Sequence, residues 1–341
     1  MFRCNIRGQQ EALSVLDRAV SSGHIAHAYL FIGPEGVGKR TCAIEFAKAL
    51  NCQEGSCSRG CQGGIPCGQC PTCRAIADGN FPDVSVVSPS GATIRIEQVR
   101  EVRRSAGLKA HTSGWRVWVF EDSDKMTEEA ANALLRTLEE PPPRSVMVLT
   151  TSNPFLVLPT IVSRCQVVRF GHVSLPEINA ILTERFDLSD QDRELFASLS
   201  GGIPAKAIRL ARGEERQARE RALDLLRKIG TRDTLEILKI SESLAEDRTS
   251  LVGYLEMWTS WYRDILILKE TGDTGLLLNR DRQEEISGVA CENSTDKLIS
   301  AIQILQEALN ALRQNANARL CMDSVLLRLD RLLGDPRRKE N

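Results

Sequence analysis

Five short apolar runs alternate with stretches of helical period through the first half of the chain. Residues 28–32, 84–87, 115–120, 146–149 and 167–170 are rich in β-branched and aromatic side chains and are bounded by turn residues, the pattern of buried strands. Helical spacing joins them: Ala12 to Val20, Cys42 to Leu50, Ile94 towards Gly107, and Met126 to Leu138, where Ala130, Ala131, Leu134, Leu135 and Leu138 share one broad face. Glu139-Glu140-Pro141 stops the last of these. Strand and helix in alternation predict a parallel sheet covered by helices. Beyond residue 170 the period is helical only. Ser174-Leu175-Pro176-Glu177 has the form of a capping box, and Ser189 with Asp192 repeats it. Helices are then expected over Ala218 to Ile229, Leu235 to Leu244, Leu251 to Lys269, Ser300 to Asn315 and Cys321 to Leu333. The third carries Tyr254, Leu255, Trp258, Trp261, Tyr262, Ile265 and Leu266 at three- and four-residue intervals, which reads as core or subunit contact rather than a platform for bases.

The first strand runs into Gly33-Pro34-Glu35-Gly36-Val37-Gly38-Lys39-Arg40-Thr41 and then a helix. Strand, glycine loop and helix are the setting of a P-loop, in which Gly33, Gly36 and Gly38 let backbone amides turn towards phosphate and Lys39 reaches the outer phosphoryl oxygens. The next position should carry a hydroxyl for Mg²⁺. Here it is Arg40, with Thr41 one place off register. Glu121-Asp122 closes the third strand, where an acidic pair would hold Mg²⁺ and polarise water. Asn153 or Thr151, at the tip of the fourth, is placed to sense a terminal phosphate. The cradle predicts ATP or ADP binding; Arg40 argues against Mg²⁺ and against a working ATPase.

Composition changes this picture at one point. Hydrophobic residues make up 42% and charged residues 26%, with a net charge of −1, which excludes a free-standing, purely electrostatic nucleic-acid binder. Arg100, Arg103 and Arg104 nevertheless form a basic helix face open to DNA, a partner or solvent. No apolar run approaches about 18 residues and the first residues lack a signal-peptide core, so a cytoplasmic protein away from membranes is expected. Of the 11 cysteines, however, most crowd into one short segment. Cys67, Cys70 and Cys73 stand at Cys-x2-Cys steps that bring thiolates into one tetrahedral shell, and a structural Zn²⁺ needs a fourth ligand. Cys52, at the end of the loop's helix, is the first choice, with Cys57 and Cys61 as rivals.

Several of these stretches together resemble one family. They are His27-Ala28-Tyr29-Leu30-Phe31, the knuckle from Cys67 to Cys73, Asn80-Phe81-Pro82-Asp83, the run Ala131 to Pro142, and Ser163-Arg164-Cys165. Trp261 to Lys269 and Leu312 to Leu320 extend the likeness towards the C-terminus. The chain resembles bacterial DNA polymerase III clamp-loader subunits of the AAA+ class, the delta-prime type more than tau/gamma. The resemblance implies a P-loop (AAA+) α/β module over residues 1–170 with a zinc insert at about 51–80, a helical lid over 171–212, an all-helical collar over 213–334 and a basic tail over 335–341. It implies Cys52, Cys67, Cys70 and Cys73 as the zinc set, and Arg164 as an arginine finger offered to a neighbour's ATP. Lys206 stands where the related ATPases carry an arginine that touches nucleotide. The implied partners are tau/gamma and delta subunits in a hetero-pentamer, and through it the sliding clamp and primed DNA. The reversed order Glu121-Asp122, beside Arg40, points to a subunit with little or no hydrolysis of its own. An active tau/gamma-like ATPase and another AAA+ DNA motor, such as a Holliday-junction helicase, are the alternatives.

Overall fold

The computed structural model describes residues 6–53, 66–106, 114–213, 216–228, 234–245, 247–314 and 316–333. They fall into two compact units, Met1–Ile181 with Gly202–Ala205, and Leu182–Gly201 with Lys206–Asn341. Cys57, Cys61 and the basic tail lie outside the described residues.

In chain order the first unit contains α1 (Gln10–Ser22), β1 (Ala28–Ile32), α2 (Lys39–Asn51), α3 (Pro71–Ala77), β2 (Val84–Val87), α4 (Ile96–Ala106), β3 (Arg116–Phe120), α5 (Glu128–Glu139), β4 (Ser145–Thr151), α6 (Pro159–Val162) and β5 (Gln166–Arg169). All strand pairs are parallel, in the order β2-β3-β4-β1-β5. Alternate residues of each central strand feed opposite cores. Tyr29, Phe31, Val117, Val119, Val146 and Val148 pack with Leu16 of α1 and Phe46 of α2. Ala28, Leu30, Trp118, Phe120, Met147 and Leu149 pack with Val99 of α4, Leu134 and Leu138 of α5 and Ile161 of α6. Burial on both faces is why these strands read as continuous apolar runs.

Two helices of this unit escape a reading by hydrophobic period. α3 starts on Pro71, and the Cys70 thiolate position caps it by accepting the Cys73 N–H; α6 is a single turn opened by Pro159. Proline at the first helical position and a side-chain cap can set a short helix that has no apolar stripe to reveal it.

α7 (Leu175–Arg185) leads from the first unit towards α8 (Asp190–Leu199) and α9 (Pro204–Ala211). Ser189 caps α8 by accepting the Asp192 N–H, as its spacing predicts. The remainder is helical: α10 (Arg216–Lys228), α11 (Thr234–Ala245), α12 (Arg248–Thr271), α13 (Gln283–Glu292), α14 (Thr295–Arg313) and α15 (Ala318–Leu333). α14 begins earlier than its apolar pattern suggests, because Ser294 caps it through the Lys297 N–H. The aromatic stripe of α12 is core: Trp258, Trp261 and Tyr262 are buried with Leu251, Leu255 and Ile265, α12 packing chiefly on α14, α13 and α10, and the Trp258 indole N–H donates to the Ala222 carbonyl at 2.8 Å.

One carboxylate lies at the centre of that packing. Asp264 is fully buried and accepts from the backbone N–H of Leu278 (2.9 Å) and Asn279 (2.7 Å) and from the Asn279 side chain (2.9 Å), which fixes the turn after α12. Arg263 pairs with its other oxygen at 2.8 Å. Asp264→Ala strands those donors, so it is expected to destabilise the C-terminal unit by about 2–4 kcal/mol, read as a lower urea midpoint of tryptophan fluorescence.

A candidate phosphate loop and a four-cysteine cluster

The polar groups of the first unit collect where its strands end. Gly33 follows β1 directly and its N–H bonds to the carbonyl of Thr151, the last residue of β4. A Cβ at Gly33 would fall 2.4 Å from the Phe170 carbonyl oxygen, so only glycine fits between the strand ends. Gly36 and Gly38 take positive φ of 78° and 103°, which turns the loop into the N-terminus of α2. Lys39 is buried, and its Nζ donates to the carbonyls of Gly33 (2.6 Å) and Pro34 (2.8 Å). Burial draws its pKa downwards, against the opposing pull of Asp122, Glu35 and Asp124. The ammonium thus stays inside the loop, at the positive end of a helix and facing an acidic cluster.

Arg40 is exposed at the start of α2 but paired. Its Nε forms an ion pair with Oε1 of Glu121, and the second oxygen of Glu121 accepts from Ser88 Oγ at 2.7 Å. Asp122 adopts a left-handed backbone (φ 48°), donates its N–H to Thr150 Oγ1 and accepts Lys125 Nζ at 2.8 Å. Asp124 accepts the Thr151 hydroxyl at 2.6 Å. Every carboxylate at this strand end therefore has a side-chain donor. These residues do not fit Mg²⁺: the residue after Lys39 offers no oxygen, and Glu121 is engaged twice. A divalent ion brought to about 4 Å of a guanidinium would be repelled by roughly 8 kcal/mol at an effective dielectric of about 20. The glycine cradle and Lys39 fit a phosphate group, and Thr41 sits exposed on α2.

The other anticipated residues are more dispersed. Asn153 is exposed, and its side-chain oxygen accepts the Phe155 N–H to cap a 3-10 turn over Pro154–Leu156. Arg164 lies just after α6, with Nη2 on Glu139 Oε1 (2.8 Å) and Nη1 on the Thr160 carbonyl (2.9 Å). Lys206 lies in the second unit, half-buried in the first turn of α9. One participant was missed. Gln9, buried before α1, bonds with both carbonyl and N–H of Gly171 (2.7 and 3.1 Å) and reaches the Val37 carbonyl at 3.4 Å. Beside it Ile6, Arg7, Gly8, Gln10, Leu13 and Glu177 line a cavity of about 240 Å³. The only local hint is glycine followed by two amides ahead of an amphipathic helix.

The cysteine cluster is built on two helix ends. Cys52 follows the last turn of α2, and Cys70 and Cys73 flank the start of α3. The sulfurs of Cys52, Cys67, Cys70 and Cys73 all lie within 4.8 Å of one another, with Cys52–Cys70 and Cys67–Cys73 at 4.0 Å. Four sulfurs about 2.3 Å from one Zn²⁺ would stand about 3.8 Å apart, so the cluster needs little adjustment to hold one. Backbone N–H groups of Cys67, Cys70 and Cys73 point at the sulfurs of Cys52, Cys67 and Cys70. Such donors favour thiolate. The Cys67 thiol is accordingly held down to about 7, chiefly by the Cys70 and Gln69 N–H groups, whereas burial pushes the Cys73 thiol up.

Comparison with known proteins bears on the whole chain. Residues 8–174 match the family model described as DNA polymerase III, delta subunit, and residues 213–331 match DNA polymerase III, delta subunit, C terminal. DNA polymerase III subunit delta′ of Pseudomonas aeruginosa is 31% identical over 321 residues, covering 91% of this chain and 93% of that protein. Subunit delta′ of Bacillus subtilis is 29% identical over 328 residues, covering 94% and 96%. Subunit tau of Bacillus subtilis is 30% identical over 211 residues, which is 60% of this chain and 36% of tau. A gamma subunit-related protein of known structure from Thermotoga maritima aligns with a TM-score of 0.47 at 19% identity, over 94% of this chain and 99% of that one.

The loop geometry yields a stability test. An alanine Cβ at Gly36 would meet Ala205 Cβ and Ile203 Cγ2 at 2.9 Å, on a backbone that already favours glycine. Gly36→Ala is expected to destabilise the first unit by about 1–3 kcal/mol, seen as a lower thermal midpoint.

Proposed function

We propose that this chain, which belongs to the bacterial DNA polymerase III clamp-loader family of tau, gamma and delta′ subunits, serves its assembly as a delta′-type subunit that hydrolyses little or no nucleotide itself. The observation that carries this reading is the ion pair between Arg40 and Glu121. An acid held by a guanidinium and by Ser88 is poorly available to orient an attacking water, and Arg40 replaces the hydroxyl that a catalytic Mg²⁺ would need. Delta′ subunits are 29% and 31% identical over 94% and 91% of this chain, against 26% over 94% for the gamma/tau subunit of Mycobacterium bovis, a difference in the same direction.

The chain's chemical contribution in this reading is Arg164, given in trans to the ATP of a neighbouring tau/gamma subunit. Arg164 is held within its own subunit by Glu139, a single surface ion pair of the kind worth about 0–1 kcal/mol. A partner's phosphates can outcompete so weak a contact, and the planar guanidinium suits charge spread over phosphoryl oxygens. The glycine loop with Lys39, together with Asn153 and Lys206, keeps a nucleotide-binding role. Cys52, Cys67, Cys70 and Cys73 hold a structural Zn²⁺ that folds the insert. The helical C-terminal region contributes the collar of a hetero-pentamer with tau/gamma and delta, acting on the sliding clamp at primed DNA. No helix among the described residues is long and apolar enough to cross a membrane, which agrees with a cytoplasmic place of action.

Three experiments test the reading. The isolated chain is expected to show negligible Mg²⁺-dependent ATP turnover, and brisk hydrolysis would sink the non-catalytic assignment. In a reconstituted loader, Arg164→Ala is expected to slow the one site it completes by up to about 10³-fold, with little rescue by Arg164→Lys; unchanged turnover would refute the finger. For the metal, elemental analysis of the purified chain is expected to find one zinc per chain, lost in Cys70→Ser and in Cys52→Ala. Full retention in Cys52→Ala would remove Cys52 from the ligand set.

A further inference from the structure

At the end of β3 a guanidinium and a carboxylate occupy the ground where a divalent cation would need oxygen ligands. Arg40 follows Lys39 in the first turn of α2 and pairs with Glu121. One oxygen of each carboxylate nearby is also held by a protein donor: Glu121 by Ser88, Asp122 by Lys125, and Asp124 by Thr151. A hard octahedral ion requires several oxygens free to turn towards it, and here each carboxylate has already given one oxygen to a protein donor while a guanidinium stands against Glu121.

The phosphate side is intact. Gly36 and Gly38 keep the left-handed turns of a cradle, and α2 presents its N-terminus to it. Two consecutive cations, Lys39 and Arg40, stand at the positive end of that helix, where cations are least favourable, and its first turn contains no acid. Lys39 rests on two neutral carbonyls. The Arg40 side chain is 67% exposed although paired, so its guanidinium has donors left for a further anion, while Glu121 is mostly enclosed at 18%. Glu121 fixes the position of the guanidinium; the exposed side of its fork remains for phosphoryl oxygens.

We propose that Arg40, anchored by Glu121, takes the place of the divalent cation, so that the loop binds a nucleoside di- or triphosphate in its magnesium-free form. Lys39 and Arg40 together supply the positive charge a metal would bring, as fixed N–H donors rather than as a Lewis acid, which makes the loop a site for retention of nucleotide and not for its turnover. This rests on the nucleotide-binding reading of the loop and is independent of the role given to Arg164.

The test is a titration of the full chain with a fluorophore-labelled ADP, followed by anisotropy, in EDTA and in excess magnesium. The native chain is expected to bind with dissociation constants that agree within about twofold in the two conditions. Arg40→Thr restores a hydroxyl after Lys39; it is expected to bind at least about tenfold more weakly in EDTA and to recover when magnesium is added. Arg40→Lys keeps the charge and should remain indifferent to the metal. Tight binding by the native chain only with magnesium would overturn the proposal, as would magnesium-indifferent tight binding by Arg40→Thr. No binding in either condition would also overturn it, and would leave the Arg164 reading to stand or fall on ATP turnover in the assembled loader. The comparison on the native chain decides the matter even where Arg40→Thr does not fold.

Discussion

A sheet buried on both faces can place its polar groups only at its ends, and the first unit follows from that constraint. β1 lies between β4 and β5, with Tyr29 and Phe31 filling one core and Ala28 and Leu30 the other. Nothing polar is tolerated along such a strand without a partner, so chemistry is displaced to the carboxyl edge. There Gly33, Glu121, Asp122 and Thr151 emerge together, joined by the hydrogen bond from Gly33 to Thr151 and by the bond from Asp122 to Thr150. The loop, the acidic strand end and the turn beyond β4 are thus brought together by backbone pairing, before any side-chain charge enters.

Electrostatics then decides what that edge can do. Lys39 and Arg40 form a cationic pair at a helix N-terminus and face a group of carboxylates, an arrangement that is balanced internally by Arg40 with Glu121 and by Lys125 with Asp122. A hydrolytic P-loop leaves its acids free for metal and water. Here each is held by a protein donor, which in the proposed reading separates affinity for phosphate from capacity for hydrolysis. Arg164 shows the reverse arrangement: its own unit holds it with one exposed ion pair and one carbonyl, so it can exchange partners at small cost.

The cysteine cluster and Asp264 solve a similar problem in different ways. α3 is too short to be stable alone, and its start is secured by the Cys70 cap and by N–H groups directed at sulfur. Beyond the 3-10 turn that follows α12, the Leu278 and Asn279 N–H groups lie outside any helix, and a buried carboxylate takes them up. In both, a polar side chain stands in for secondary structure where the chain changes direction.

Local pattern alone determined much of this protein. The strands around Leu30, Trp118 and Met147, the glycine loop with its odd Arg40, the Cys67-Cys70-Cys73 run and the Ser189 cap are all visible as spacings within a dozen residues, because each depends on a neighbour close in sequence. α3, α6 and α13 were not visible, since caps, prolines and tertiary contacts form them and no apolar stripe marks them out. Cys52, the first choice for the fourth thiol, does come to the other three, whereas spacing could not reveal that Gln9 ties the start of α1 to Gly171. Above all, Arg40 and Glu121 each read as a separate departure from a working site, and only the parallel pairing of β1, β4 and β3 brings them together. Which residues are present was legible in the chain; which charges neutralise one another was decided in three dimensions, because Coulombic partners are chosen by distance in space.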